Sequence, residues 1–185
     1  MRIKITENFF LHEFTKLTSI LPLQMYMMQR LCETLEVIRF ICSSRIKIRS
    51  GMRTYEDFIR LQQQGFHPSE TSDHFFGSPI PLSNAKKVER YGRYYPYSVG
   101  AADIETLDIK TEDAFLKIIE NRDKVHTGQI ILEKHNTYWI HISNHQDIIY
   151  NKYVCNTFLK KDPYLISLDK GVTFHNAIEW INQRK

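Results

Sequence analysis

The feature that most constrains the fold of this chain is a set of two histidines and one aspartate carried by three separate segments. The segments are Ser72-Asp73-His74-Phe75-Phe76-Gly77, Gly100-Ala101-Ala102-Asp103-Ile104 and Trp139-Ile140-His141-Ile142-Ser143. Two neutral imidazoles and one carboxylate suit Zn²⁺, and three protein ligands leave the fourth tetrahedral position open for water, as in catalytic sites. The set therefore predicts a hydrolase with one Zn²⁺ held by His74, Asp103 and His141, and the fold must bring the three segments together.

The residues around these three positions resemble a known family. The pattern S-x-H-x-x-G-x-A-x-D followed later by W-x-H is that of the zinc D-alanyl-D-alanine carboxypeptidases and of related peptidoglycan peptidases, including phage endolysins. Residues 8–14, 31–39 and 48–53 are similar to the F-x-x-x-E-F opening, the first long helix and the S-G-Y-R turn of that family. The resemblance covers about residues 5–143.

The resemblance implies an α+β fold like that of D-Ala-D-Ala carboxypeptidases and hedgehog-like domains, with a small antiparallel sheet, flanking helices and a single zinc site. It implies a zinc metallopeptidase, either a carboxypeptidase or an endopeptidase, that cuts an amide bond in the peptide stem of peptidoglycan. Arg53 in the S-G-Y-R turn, where Met52 replaces Tyr, would stabilise the oxyanion or bind a substrate carboxylate. Ser72 would form a hydrogen bond near the substrate.

The chain departs from the family between the first histidine and the aspartate. The family keeps these residues in one short loop, whereas an insertion of residues 78–99 lies between them here. We expect the metal-binding ends to remain adjacent, because the entropy cost of closing a loop grows slowly with its length. The insertion mixes cations with aromatic residues, and Tyr94 and Tyr95 would contact substrate if it forms a lid. A structural strut and a solvated loop are the alternatives.

The general base is the next residue that a peptidase requires, because a carboxylate usually takes the proton of the attacking water and returns it to the leaving amine. Relatives with an E-x-x-H arrangement place this acid three residues before the last histidine, where the present chain has Tyr138. The nearest acid is Glu133, which we predict to be general base and acid, with Asp73 as the next candidate. The alternative ligands, should the strand register differ, are His126, His135 and His145.

Hydrophobic periodicity predicts the secondary structure. Apolar residues at helical spacing predict a long helix over residues 23–42, and alternation predicts strands on either side of a turn at residues 134–137. The full set of predicted elements is a helix over 23–42, a strand over 45–49, a helix over 54–64, a strand over 101–109, a helix over 112–121, a hairpin of 129–133 with 138–142, and a last helix over 173–181. This last helix belongs to a predicted C-terminal helical extension over residues 144–185. The whole chain, 1–185, is predicted to be one domain.

Composition limits the class of protein further. A chain of 185 residues with 42% hydrophobic residues can bury the core of a single domain. Its three cysteines form no C-x-x-C pair, so we expect thiols, with Cys32 and Cys42 in the core. The chain has no apolar stretch of about 18 residues and no secretory signal. We therefore expect no membrane span and synthesis in the cytoplasm, with release to the cell wall by a lysis system.

Two other classes of function stay open at this point. The first is a non-catalytic zinc-containing binding protein or phage structural protein of the same fold, which would hold metal without turnover. The second is a nucleic-acid-binding module built on the basic and aromatic insertion, and it ranks last because the net charge of +4 suits any anionic partner equally. The sequence leaves both the stem bond that is cut and the oligomeric state undetermined.

Overall fold

The computed structural model of the chain describes residues 3–17, 19–68, 72–76, 99–145, 164–169 and 172–183. The α-helices in these ranges are α1 (Leu11–Phe14), α2 (Pro22–Cys42), α3 (Tyr55–Gln63), α4 (Thr111–Glu120) and α5 (Ala177–Asn182). The strands in the same ranges are β1 (Ile46–Ser50), β2 (Ala101–Thr106), β3 (Gln129–Lys134), β4 (Tyr138–Ser143), β5 (Tyr164–Ser167) and β6 (His175–Asn176). The insertion up to residue 98, with Tyr94 and Tyr95, and Cys155 lie outside the described residues.

The described strands form one sheet in the order β1-β2-β4-β3-β5-β6. Neighbouring strands are antiparallel except β3 and β5, which run parallel. The predicted α+β class, with a mostly antiparallel sheet and flanking helices, is confirmed. The sequence predicts an antiparallel sheet, and the structure differs at one strand pair. There β5 joins the predicted hairpin at the edge of β3 and runs parallel to it. No helix in the described ranges is long and apolar enough to cross a membrane.

Helix α2 supplies one side of the core. Pro22 occupies its first turn, where a missing N–H leaves no hydrogen bond unmade, and Ser43 ends it in the left-handed conformation at φ 49°. Its buried apolar residues recur every three or four positions, namely Met27, Met28, Leu31, Cys32, Leu35, Ile38 and Cys42. The predicted helix and the predicted burial of Cys32 and Cys42 are confirmed, and burial raises the pKa of the Cys42 thiol to about 11.

The sheet turns one face to the helices and the other to a cleft. The core residues of the central strands pack with α2 and α4, and they are Ala102, Ile104, Ile130, Leu132, Ile140 and Ile142. The residues between them line the cleft, and they include Asp103, Ile131, Glu133, Trp139 and His141. Because side chains alternate along a strand, burial of the apolar set directs the polar set into the cleft.

The C-terminal region differs most from the sequence prediction. The helix predicted over residues 173–181 begins only at Ala177, where Asn176 accepts hydrogen bonds from the N–H groups of Ile178 and Glu179. Strands β5 and β6 were not predicted, because both are short and β5 depends on pairing with β3, which is distant in sequence. The remaining elements agree with their predictions except at their ends, and the strand predicted over residues 101–109 ends at Thr106.

The turn that carries His74 and the start of β2, which flank the insertion, lie side by side, as expected. The Gly100 N–H donates a hydrogen bond of 3.0 Å to the carbonyl of Asp73, which lies on the other side of the insertion. Gly100 has φ +90°, and a Cβ at this position would lie 2.8 Å from the Phe76 ring. Glycine is therefore needed both for the backbone conformation and for the close approach.

Asn144 joins helix α2 to the chain that leads into β2. Its side-chain amide donates hydrogen bonds of 2.8 Å to the carbonyls of Met27 and Val99. Its backbone N–H donates to the carbonyl of Gly100 at 2.9 Å. The Asn144 side chain is buried, so water does not compete for these hydrogen bonds. Asn144 thus fixes the end of β4 against the start of β2.

Replacing Asn144 with alanine should lower the free energy of unfolding by about 1–3 kcal/mol, because two buried hydrogen bonds, to the carbonyls of Met27 and Val99, are lost. Asn136→Ala, in the exposed turn between β3 and β4, is the control and should change stability by less than about 0.5 kcal/mol. Urea denaturation followed by circular dichroism measures both. Equal stability of the two variants would contradict the role given to Asn144.

Candidate metal centre

Two strands and one short turn bring the predicted ligands together. Asp103 on β2 and His141 on β4 are directly opposite in the antiparallel register, so their side chains project from the same face as neighbours. His74 lies in a 3₁₀ turn formed by Asp73–Phe75, above the same end of the sheet. All three side chains are buried.

The ligand atoms of the three residues form a nearly equilateral triangle. His74 Nε2 lies 3.1 Å from Asp103 Oδ1 and 3.2 Å from His141 Nδ1. His141 Nδ1 lies 3.0 Å from Asp103 Oδ1. Ligands on a tetrahedral ion with bonds of about 2.0–2.1 Å are about 3.3 Å apart. The group can therefore hold one metal ion with three protein ligands.

The orientation of His74 is fixed by a main-chain carbonyl. Its Nδ1 donates a hydrogen bond of 2.7 Å to the carbonyl of Gly51, which can only accept. The proton therefore resides on Nδ1, and Nε2 presents its lone pair to the other two ligands. Burial, together with the positive charge of Arg53, lowers the pKa of His74 to about 4. The imidazole is neutral at neutral pH, as a metal ligand must be.

Gly51 has this position because no larger residue fits there. A Cβ on Gly51 would lie 2.6 Å from both the Cα and the carbonyl oxygen of Phe14. The same Phe14 carbonyl accepts a hydrogen bond of 2.8 Å from the Met52 N–H. The last residue of α1 is thus packed directly on the turn after β1, and this contact holds the Gly51 carbonyl against His74.

Asp103 has a separate partner for each carboxylate oxygen. Oδ1 faces the two histidines, and Oδ2 accepts a hydrogen bond of 2.5 Å from Arg53 Nη2. Burial by itself would raise the pKa of Asp103, but the positive charge of the Arg53 guanidinium bonded to Oδ2 holds this pKa well below its usual range. The carboxylate is therefore ionised.

Arg53 lies at the site, as predicted, and is itself held in place. Its Nε donates a hydrogen bond of 2.9 Å to Ser50 Oγ, and its backbone N–H donates one of 2.9 Å to the carbonyl of His74. Ser72 is also close, since its Oγ accepts from the His74 N–H at 3.4 Å and caps the 3₁₀ turn. Ser72 thus helps to form the turn that carries a ligand.

Glu133 lies on the cleft face of β3, next to the ligand group. It is opposite Trp139 in the hairpin, and Ile131, two residues earlier on the same face, is opposite His141. Burial, and after it the negative charge of Asp103, raise the pKa of Glu133 to about 7. A carboxyl group with a pKa near neutrality can both accept and donate a proton during a reaction.

Trp139 faces the cleft and does not support the core beneath His141. The two residues are separated by one position in β4 and so share the cleft face. The Trp139 ring is partly exposed and lies 5.2 Å from the guanidinium carbon of Arg49. Trp139 and Arg49 form part of the cleft wall.

The alternative histidine ligands lie away from the group. The rings of His126 and His145 are 4.6 Å apart and contact each other. His135 lines the cleft, but its ring packs at 5.2 Å from that of Phe66. Within the described ranges, the one cluster able to hold a metal is His74, Asp103 and His141.

The metal centre lies in a cleft of about 830 Å³. Sequence reasoning missed several wall residues, namely Arg49, Arg60, Ile131, Leu165 and Phe174. Leu165 and Phe174 come from the C-terminal region, which the family resemblance does not cover. The alternation around Glu133 could have identified Ile131, because residues two apart in a strand share a face.

No family model, no curated protein and no solved structure matches the chain. The family resemblance therefore rests on the short motifs around the ligands. The geometry of the metal centre is a separate observation, because it follows from the strand register and the distances between side chains.

Purified protein should bind one zinc ion per chain, and His74→Ala or His141→Ala should abolish this stoichiometric binding, because two remaining ligands hold the ion weakly. His135→Ala is the matched control, since it removes a histidine of the same cleft outside the ligand group. Elemental analysis after dialysis against zinc-containing buffer measures the metal content. One bound zinc in both His74→Ala and His141→Ala would exclude this site.

The metal-free Glu133→Gln variant should be more stable than the parent above about pH 7 by about 1–3 kcal/mol, and equally stable below about pH 4. The raised pKa of Glu133 means that ionisation between its unfolded value and about 7 costs folding free energy, and glutamine removes this cost. His74, whose lowered pKa makes stability rise with pH from about 4 to 6.5, contributes equally to both proteins.

Urea denaturation at several pH values gives the difference in unfolding free energy. Glu120→Gln, at the exposed end of α4, is the control and should show no such pH dependence. A Glu133→Gln variant that is as stable as the parent at every pH would mean that the carboxyl is not buried in solution.

Proposed function

We propose that the protein is a zinc-dependent peptidase that hydrolyses an amide bond in the peptide stem of bacterial peptidoglycan, as a carboxypeptidase or an endopeptidase. The observation that carries this proposal is the ligand triangle of His74 Nε2, Asp103 Oδ1 and His141 Nδ1, with sides of 3.0–3.2 Å, in the same cleft as Glu133. Two imidazoles, one carboxylate and an open fourth position are the ligand set of catalytic zinc.

The ligand chemistry fits zinc. When bound, zinc would supply a Lewis acid that polarises the substrate carbonyl and favours attack by water. His74 is held neutral with Nε2 free to ligate, and Asp103 is held ionised. These protonation states are those that a metal ligand needs, so little proton release would accompany binding near neutral pH.

Glu133 would act as general base and then as general acid. Its carboxylate would accept a proton from the attacking water as the C–O bond forms, and would donate that proton to the amine nitrogen as the C–N bond breaks. A pKa of about 7 allows both transfers near neutral pH. Asp73, which also lines the cleft, is the second candidate for this step.

The cleft supports a peptide substrate that carries carboxylates. A volume of about 830 Å³ accommodates several residues. Arg49 and Arg60 line its walls in ion pairs with Glu105 and Asp57, and they could exchange these partners for the free carboxylates of a stem peptide. Tyr94 and Tyr95 remain predicted substrate contacts of the insertion. The enzyme would be synthesised in the cytoplasm and would reach the wall after release by a lysis system.

A non-catalytic zinc protein of the same fold is the second candidate. Two observations favour it: Tyr138 occupies the E-x-x-H position, and the Arg53 guanidinium is bonded to Asp103 and Ser50. Such a protein would bind zinc without turnover. Mass spectrometry of muropeptides incubated with zinc-loaded protein decides between the candidates, and the product masses identify the bond that is cut. Zinc-loaded protein that leaves every muropeptide intact would refute the peptidase proposal.

Glu133→Gln should retain one zinc per chain and should lower the rate of muropeptide hydrolysis by about 10²-fold or more, because general acid-base help is lost. Asp73→Asn, which alters another acid of the same cleft, should have a smaller effect. Product formation measured at saturating zinc compares the variants. If Asp73→Asn shows the large loss and Glu133→Gln does not, the base is Asp73.

A further inference from the structure

A single turn, Ser50 to Arg53, contacts two of the three metal ligands. The Gly51 carbonyl accepts the proton of His74 Nδ1 at 2.7 Å, and the Arg53 backbone N–H donates to the His74 carbonyl at 2.9 Å. The Arg53 guanidinium bonds Asp103 through Nη2 at 2.5 Å. These bonds come from one short segment, so the positions of the two ligands are coupled through it.

The Arg53 guanidinium is placed to bind the metal-ligating residue Asp103 rather than a substrate. Arg53 and Asp103 have only 17% and 10% of their side chains exposed. Ser50 Oγ accepts from Nε on one side of the guanidinium, and Asp103 Oδ2 accepts from Nη2 on the other. Ser50 is also the strand partner of Asp103 in the β1-β2 register. Ser50, Arg53 and Asp103 therefore form a short chain of hydrogen bonds that ends at a metal ligand.

We propose that Arg53, held by Ser50, is a positioning residue that keeps Asp103 a one-oxygen ligand and so adapts the site to a four-coordinate ion such as zinc. With Oδ2 bound to the guanidinium, only Oδ1 faces the two histidine nitrogens. Without Arg53, both oxygens would be available, and the larger ligand number would suit ions that prefer six ligands. This inference rests on the metal centre of the proposed function, and it does not require peptidase activity.

The first test is zinc affinity, measured by competition with a chromophoric chelator. Arg53→Met should weaken zinc binding about 10–100-fold, the usual loss when a residue that orients a ligand is removed. Ser50→Ala should weaken it less, because the guanidinium keeps Asp103 but loses its support. Arg49→Met is the matched control: this arginine lines the same cleft but bonds Glu105 and Thr137, so zinc affinity should not change.

The double variant separates a positioning role from a general loss of charge. If Ser50 acts through Arg53, Ser50→Ala should have no further effect once Arg53 is methionine, so the combined loss should equal that of Arg53→Met alone. Arg53→Lys keeps the charge but cannot bond Ser50 and Asp103 together, so it should restore only part of the affinity. Full restoration by lysine, or additive losses in the double variant, would overturn the proposal.

Cobalt substitution gives a readout of ligand number that is independent of activity. Four-coordinate Co²⁺ absorbs visible light much more strongly than six-coordinate Co²⁺, so the cobalt-loaded parent should show the intense spectrum and Arg53→Met a weaker one. Arg49→Met should match the parent. An unchanged spectrum and unchanged zinc affinity in folded Arg53→Met would overturn the inference, whereas zinc binding without muropeptide hydrolysis would refute only the peptidase.

Discussion

The site depends on the register of one antiparallel strand pair, β2 with β4, which puts Asp103 directly opposite His141. A slip of one strand by one residue would turn its side chains to the opposite face, so that Asp103 and His141 would no longer share the cleft and core residues would enter it. The register is held by the apolar residues on the other face, where Ala102 and Ile142 pair and are completely buried. The hydrophobic core therefore positions the metal ligands, although none of the ligands belongs to it.

The third ligand depends on tight backbone contacts. His74 is oriented by the Gly51 carbonyl, and Gly51 can occupy its place only because it lacks a Cβ that would meet the Phe14 backbone. On the other side, Gly100 allows the chain to pass close to Phe76. These two glycines fix the turn of His74 against the sheet. The insertion separates His74 from Asp103 in sequence. The hydrogen bond from the Gly100 N–H to the Asp73 carbonyl keeps the two residues adjacent in space.

Burial has opposite effects on two acids of the same cleft. Asp103 is ionised because the positive charge of Arg53 compensates for its desolvation. The desolvation of Glu133 is less fully compensated by nearby positive charge, and the negative charge of Asp103 lies near it, so the pKa of Glu133 rises to about 7. The difference makes one carboxylate suitable for binding a metal ion and the other suitable for proton transfer. The unfavourable ionisation of Glu133 costs stability, which is common where a fold carries a reactive group.

The sequence by itself determined the elements whose signals are local and the identity of the candidate ligands. Periodicity was sufficient for helix α2 and for the hairpin, and the motifs were sufficient to single out His74, Asp103 and His141, which could hold a metal ion. Only the tertiary structure decided the bonding of Arg53 to Asp103 and the addition of β5 to the sheet beside β3. Both depend on partners distant in the chain, and neighbouring residues carry no information about them.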